Sequence, residues 1–545
     1  MSRTSLIGGE EASRGFFGGQ TVKGRPVAVG IALTLGVALT LFGSNRLVGF
    51  VLLVILVTLA WVATAGTHNG SLAQRFITRA RWRDRTKTGV RQFVPFDQGT
   101  WDAISEAYFD ATTKTQRCQV LRDQAALREW PDGVVGMHWL EDRYAKAGIA
   151  WHRPPGQEAY LSVVFSTVGQ VAGMESDMYL DTCAKAVGDM YGRFGTARSL
   201  IGRVQSTTRL LPIDSARHES WIHDNLDPAT PDAFQESYEH VIAELRDGKL
   251  AQRHFITVSW PITGDFLARA GRHGADKEGW LTLMDMEVNR VLSALRTAHF
   301  GDVKVLSATK TAAVLRHLQH PGFPIDRVVD ITPQSPWLPS VEEYAYVANY
   351  GAPDGPATPI TGWLTATARI TAPNVAISAR GSLWLAPLLT SLPEAVVRTV
   401  SFHLELIPQQ DARDQAEQDQ VADLADQRAR KKRGQLADDA TETNLQGAAL
   451  RRRDLGPGKR NQGAAWVGYV SVSATSRDEL RAAVDVIEAA AAGEPAINQL
   501  VWLDTQHATA AACTWPVGRG ITASKRLLSA QGRSFLAGKG AKEAL

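Results

Sequence analysis

Two uninterrupted apolar runs open the hydrophobic pattern of the chain. From Pro26 to Ser44 (PVAVGIALTLGVALTLFGS) and from Leu47 to Ala65 (LVGFVLLVILVTLAWVATA) no side chain is charged, and each run matches the roughly 20 residues that span hydrocarbon. Only Asn45 and Arg46 lie between them. A junction that short makes two helices antiparallel, so the pattern predicts a transmembrane hairpin with Asn45 and Arg46 at its turn. Lys23 and Arg25 precede it, and Arg75, Arg79, Arg81, Arg83, Arg85, Lys87 and Arg91 follow it. The positive-inside rule then puts both termini in the cytoplasm, with Arg75, Arg79, Arg81, Arg83 and Arg85 setting the topology of a multi-pass protein of the cell (inner) membrane. Neither run carries an ionisable residue to relay ions, which argues against a transporter.

Beyond the hairpin, period-two alternation and helical periodicity take turns. In Thr399–Leu406 (TVSFHLEL) Val400, Phe402, Leu404 and Leu406 share one face and Ser401, His403 and Glu405 the other, the pattern of a half-buried strand. Similar strands are predicted at Ala159–Phe165, Phe255–Trp260, Val303–Ser307, Trp363–Ile370, Trp466–Ser473 and Gln499–Leu503. Helices fall between them. Ser476 with Glu479 three residues on forms a capping box, and Leu480, Ala483, Val484 and Ile487 give that helix its apolar stripe until Gly493. Helices are also expected at Lys277–Ala298 and Thr309–Leu318. The alternation predicts an α+β cytoplasmic region with mixed sheets built of ferredoxin-like strand–helix units.

Composition adds limits to this picture. The 545 residues exceed what one core organises. A net charge of +3 is too near neutrality for a molecule devoted to nucleic acid. Cys118, Cys183 and Cys513 are far apart, which argues against a disulfide framework or a zinc cluster. Locally, Gln409–Arg453 is rich in Ala, Gln, Asp and Arg and lacks an apolar stripe, so it reads as an exposed helical arm or a partly disordered segment. Within it Arg428, Arg430, Lys431, Lys432 and Arg433 form a basic cluster, a candidate for partner contact, with nucleic acid the weaker choice of partner. The chain therefore divides into a tail (1–25), the hairpin (26–66, spans 26–44 and 47–65), a basic connecting region (67–155), an α+β domain (156–408), the charged insertion (409–463), a strand–helix–strand continuation of that domain (464–530) and a second tail (531–545).

A search for chemistry returns no constellation. No GxxxxGK[ST] loop is present; Gly532–Gly540 has one residue too many between its glycines, and Gly540 stands where Ser or Thr should hold magnesium. There is no HExxH and no GxSxG, and the pairs His218/His223 and His317/His320 lack accompanying ligands. No catalytic residue, cofactor or metal is expected, and the chain reads as a scaffold rather than an enzyme. A membrane-tethered enzyme with an unrecognised site, or a membrane subunit of a type VII-like secretion system, are the other readings.

The layout resembles a fusion of two type IV secretion elements found in actinobacterial conjugation-type proteins. Residues from about Arg14 to Arg91 resemble the PrgI family, a two-helix inner-membrane subunit. The second resemblance is to the N-terminal, non-catalytic domain of the secretion ATPase. It runs through Ile360–Leu406 with SLWLAPLLTSLPEAVVRTVSFHLEL, continues in GYVSVSATSRDELRAAVDVIEAA, and closes on Gln506-His507 and Trp515-Pro516-Val517-Gly518-Arg519-Gly520. In such ATPases the segment like WPVGRG comes just before the motor domain, whose nucleotide-binding loop is absent here. The resemblance implies an oligomeric scaffold partnered by the lipid bilayer, by a separate motor ATPase and by other membrane subunits of an export complex.

Overall fold

The computed structural model describes residues 5–7, 30–35, 37, 38, 40, 46–63, 66, 67, 70–170, 175–212, 221, 222, 224–227, 229–246, 250–342, 345–347, 362–376, 378–390, 392, 395–414, 416, 417, 449, 453–456, 458, 461–504 and 506–521. Before the main sheet the described residues include the helices α1 (Arg46–Ala63), α2 (Leu72–Thr88), α3 (Gln98–Asp110) and α4 (Lys114–Ala126). Thr113 starts α4 in a reciprocal cap with Gln116.

The strands that follow enter one twelve-stranded sheet. The first six are β1 (Met137–Glu141), β2 (Ile149–His152), β3 (Tyr160–Thr167), β4 (Arg203–Pro212), β5 (Leu250–Pro261) and β6 (Lys304–Val305). Helix α5 (Asp177–Phe194) joins β3 to β4, α6 (Asp232–Arg246) lies between β4 and β5, and α7 (Gly264–Ala270) with α8 (Asp276–Thr297) joins β5 to β6. After α9 (Ala308–Gln319) come β7 (Ser340–Glu342), β8 (Ala345–Val347), β9 (Gly362–Ile370), the short α10 (Ala386–Leu389), β10 (Val397–Ile407), β11 (Gly463–Ala474), α11 (Arg477–Ala492), β12 (Val501–Trp502) and α12 (His507–Ala511).

The two sets of six strands share one connectivity. In the first, β1 and β2 form a hairpin, β2 pairs with the start of β3, β6 with its end, and β5 lies between β3 and β4. In the second, β7 and β8 form the hairpin, β8 pairs with the start of β9, β12 with its end, and β11 lies between β9 and β10. Each set therefore contains the strand order of a βαββαβ unit, 4-1-3-2, with α10 in place of the first helix in the second unit. The units join edge to edge through β4 and β10, where Thr207 stands opposite Ser401. Every neighbouring pair in this sheet is antiparallel. The mixed sheets expected from the sequence are thus corrected: each βαβ crossover skips over an intervening strand, so strands that run the same way never touch.

Side-chain alternation assigns the two faces. Leu161, Val163, Phe165, Val204, Ile256, Val258 and Trp260 pack beneath α5, α7 and α8, and Ala366, Ala368, Ile370, Val400, Val470 and Val472 pack beneath α10 and α11. Ile487, fully buried in α11, contributes on the order of 2–3 kcal/mol by its removal from water. The opposite face is covered by α9, the segment that follows it, α12 and the last described residues, through Val314, Leu315, Leu318, Trp337, Ala511, Trp515 and Val517.

The hairpin expected at 26–66 is corrected. Its second run folds as α1, whose 18 residues begin on Arg46, the residue assigned to the turn. At about 1.5 Å per residue this helix is roughly 27 Å long, short of the hydrocarbon core of about 30 Å. Of the first run, residues 30–35, 37, 38 and 40 are described; the remainder, and Asn45, lie outside the described residues. Among the described residues no helix is long and apolar enough to cross a membrane. The multi-pass placement in a cell membrane is corrected with it.

Candidate functional site

The sheet face opposite the helices carries polar side chains where the alternation predicted an exposed face. Along the junction of the two units run Gln205, Thr207 and Arg209 of β4 and Thr399, Ser401 and His403 of β10, each no more than 2 % exposed. Ser162, Thr257 and Ser259 continue the row on one side, Ser471, Ser473, Thr365 and Thr367 on the other, all buried. In a half-buried strand such groups would face water. Here the chain itself covers them, so each must find an internal partner or be costly.

For several of them the partner is a strap formed by the segment after α12, while the hydroxyls of Thr257, Ser259 and Thr367 have none among the described residues. The Gln205 amide nitrogen donates to the carbonyl of Trp515 at 2.8 Å, while its amide oxygen accepts from the Gly518 N–H at 2.8 Å. One side chain thus satisfies both edges of the strap. His403 Nε2 donates to the Cys513 carbonyl at 2.7 Å, the Thr514 hydroxyl meets that of Ser471 at 3.1 Å, and the Tyr160 hydroxyl donates to the Val517 carbonyl at 3.0 Å. The Tyr469 hydroxyl donates to the Gly520 carbonyl. Arg519 reaches back to the carbonyl of Val135 at 2.9 Å. Trp515 is fully buried and stacks on Trp337, ring centres 5.9 Å apart. Gly518 holds φ +70°, and a Cβ there would stand 2.5 Å from the Ser259 hydroxyl, so the strap approaches the sheet closely only because that residue is glycine.

Beside the strap lies a buried pair, Arg209 and His317. Arg209 donates to the Thr399 hydroxyl at 3.0 Å and toward His317 Nε2 at 3.5 Å, and among the described residues its second terminal nitrogen has no partner. Burial brings its guanidinium down to about 9. His317 hands its Nδ1 proton to the carbonyl of Phe323 at 2.7 Å, and burial, helped by the neighbouring Arg209, lowers it to about 3. His403 is likewise lowered to about 4 by burial, and His152, bonded to Ser162 at 2.8 Å and stacked on Tyr160, is driven well below its ordinary value by the same cause. All three imidazoles are neutral at pH 7. The Cys513 thiol is pushed by burial up to about 12, which removes it from thiolate chemistry.

These groups face one another with main chain filling the space between them, so the arrangement fastens polypeptide to polypeptide. Among the described residues no cluster of His, Cys, Asp or Glu has the makings of a metal site. The residues singled out from sequence lie elsewhere. Arg46 opens α1; Arg75, Arg79, Arg81, Arg83 and Arg85 are all on α2, where Arg85 pairs with Asp132 at 3.2 Å. Asn45 and the cluster Arg428, Arg430, Lys431, Lys432 and Arg433 lie outside the described residues. The sequence reading missed Gln205, Arg209 and the whole of β4, because Gln205–Arg209 is an unbroken polar run in which no alternation shows. Neither a scan against protein-family models nor a search of curated proteins gives a match to the chain.

Proposed function

We propose that the chain is a non-catalytic scaffold of a type IV secretion or conjugation-like export machine, and that it holds a separate motor ATPase together with other subunits of the complex. The observation that carries this reading is the strap. Cys513–Gly520 contains the WPVGRG sequence that, in the ATPases the chain resembles, comes just before the motor domain. Here it is clasped across the seam of two β units by Gln205, His403, Tyr160 and Tyr469. Gln205, His403, Tyr160 and Tyr469 are engaged with the backbone of the strap, an arrangement suited to fixing a segment in place.

The test is a pull-down from cells coexpressing the full chain with the type IV motor ATPase of the same organism. The scaffold reading expects the ATPase to be retained in near-stoichiometric amount. Retention no greater than on an unrelated bait, or hydrolysis of ATP by the purified chain alone, rejects it.

A further inference from the structure

The strap is fastened to the sheet by side chains. No residue of Cys513–Gly520 belongs to a strand, and the backbone of the strap bonds locally, in turns such as Cys513 to Ala510, Thr514 to Ala511 and Trp515 to Ala512. It can therefore leave without breaking a rung of the sheet. Of the side chains that hold it, His403 is the one whose ordinary titration lies near neutral pH. The imidazole is buried, donates from Nε2 to the Cys513 carbonyl at 2.7 Å, and stands edge-on to Tyr469 with ring centres 5.6 Å apart. A Cβ on Gly520 would lie 3.0 Å from the same nitrogen, so the strap packs directly on the ring. The charged and titratable groups around it are Arg203 on β4, Tyr469 on β11, Cys513 and Arg519 on the strap, and Glu405 two residues along β10, opposite Arg203 in register.

We propose that the strap is an acid-sensitive latch, which opens as a unit while the sheet stays folded and takes up a proton at His403 each time it opens. Independently of the function proposed above, the geometry leads there. With the strap closed, one ring nitrogen is committed to Cys513 and the other is shut away from water in the field of Arg203, which disfavours the imidazolium. With the strap open, the ring meets water and takes a proton at its ordinary value of about 6.5. The closed value, about 4, lies below the open one, so the latch is tightest above pH 7 and loosens as pH falls. Between pH 7 and pH 5 the opening constant should rise about twentyfold. Gln205, Tyr160 and Tyr469 keep their protonation over this range, so they set how firmly the strap closes and not how it responds to acid. His152 does not join in, because its partners Tyr160 and Ser162 belong to the sheet and stay when the strap leaves.

Hydrogen exchange on the full chain tests this, with rates referred to the intrinsic exchange at each pH. The peptide carrying Trp515 and Gly518, whose N–H donates to Gln205, reports the strap; a peptide from the centre of β11, around Val470, reports the sheet. In the wild type the strap should be less protected than β11 at pH 7 and at pH 5, and its protection should fall about twentyfold between them. In His403→Gln, which keeps a donor for the Cys513 carbonyl and cannot take the proton, the fall should shrink to less than about threefold. Circular dichroism checks that the variant is folded, and the comparison of strap with β11 in the wild type needs no variant. Equal protection of the two peptides at both pH values would mean that the strap leaves only when the whole molecule unfolds, and overturns the proposal. Strap protection that does not change with pH overturns it as well, and so does an undiminished fall in folded His403→Gln.

Discussion

His317 and His403 carry no charge in the folded protein because no water or carboxylate reaches them, and this has a measurable consequence. Their folded values, about 3 and about 4, lie below that of an unfolded imidazole. Above pH 7 neither state is protonated and the histidines contribute no pH dependence. As pH falls through about 6.5 the unfolded chain takes up protons that the folded chain refuses, so stability is lost downward from there. By pH 5 the loss is on the order of 2 kcal/mol for each fully buried histidine. Thermal melts at pH 7 and pH 5 should show a marked fall for the wild type and a much smaller one for His317→Asn with His403→Gln, which cannot protonate and keep a donor for the Phe323 and Cys513 carbonyls. An equal fall in the variant would assign the acid sensitivity to other groups. The sequence showed these histidines and placed His403 on the polar side of its strand. It could not show that this side is buried, because alternation reports which residues share a face and not what later covers it.

The elements repay comparison with the pattern that predicted them. Thr399–Leu406 is found as β10 (Val397–Ile407), Trp466–Ser473 as β11 (Gly463–Ala474), and the capped helix begins where the sequence put it, with the Ser476 hydroxyl accepting from the Glu479 N–H at 3.2 Å. Local signals of this kind are legible because the residues that produce them are neighbours in the chain. Ser476→Ala should therefore cost about 1 kcal/mol in denaturant unfolding, while Ser476→Asp, which preserves the cap, should cost little. A Ser476→Ala variant as stable as the wild type would mean that packing alone holds the first turn. The apolar runs near the N-terminus were misread for a related reason. Composition gives the length of a run without charge, whereas the helix that forms chooses its own first residue, and α1 begins on Arg46.

At the scale of the whole molecule, the unit of construction is the pair of six-stranded sets, which pattern analysis did not reveal. Their likeness is one of connectivity: Val164 and Thr367 hold equivalent places on the polar face, as do Arg209 and His403, and such exchanges erase a repeat from the sequence while leaving it in the fold. Edge-to-edge joining also protects β4 and β10, which as lone edge strands would offer unpaired backbone to other chains. Truncation after Leu503 removes α12 and the strap together. The shortened chain should keep its far-ultraviolet circular dichroism and melt several degrees lower; collapse of the spectrum would mean that the sheet depends on the strap to form at all.

The distance along the chain between Gln205 and the strap it holds, some 310 residues, bears on synthesis. A ribosome releases both β units before Trp515 emerges, so the growing protein must wait with the seam uncovered. Serine, threonine, glutamine, arginine and histidine at that junction can meet water during the wait, where valine and leucine would invite association with other nascent chains. The polarity of the seam thus provides for an interval that the finished molecule no longer displays.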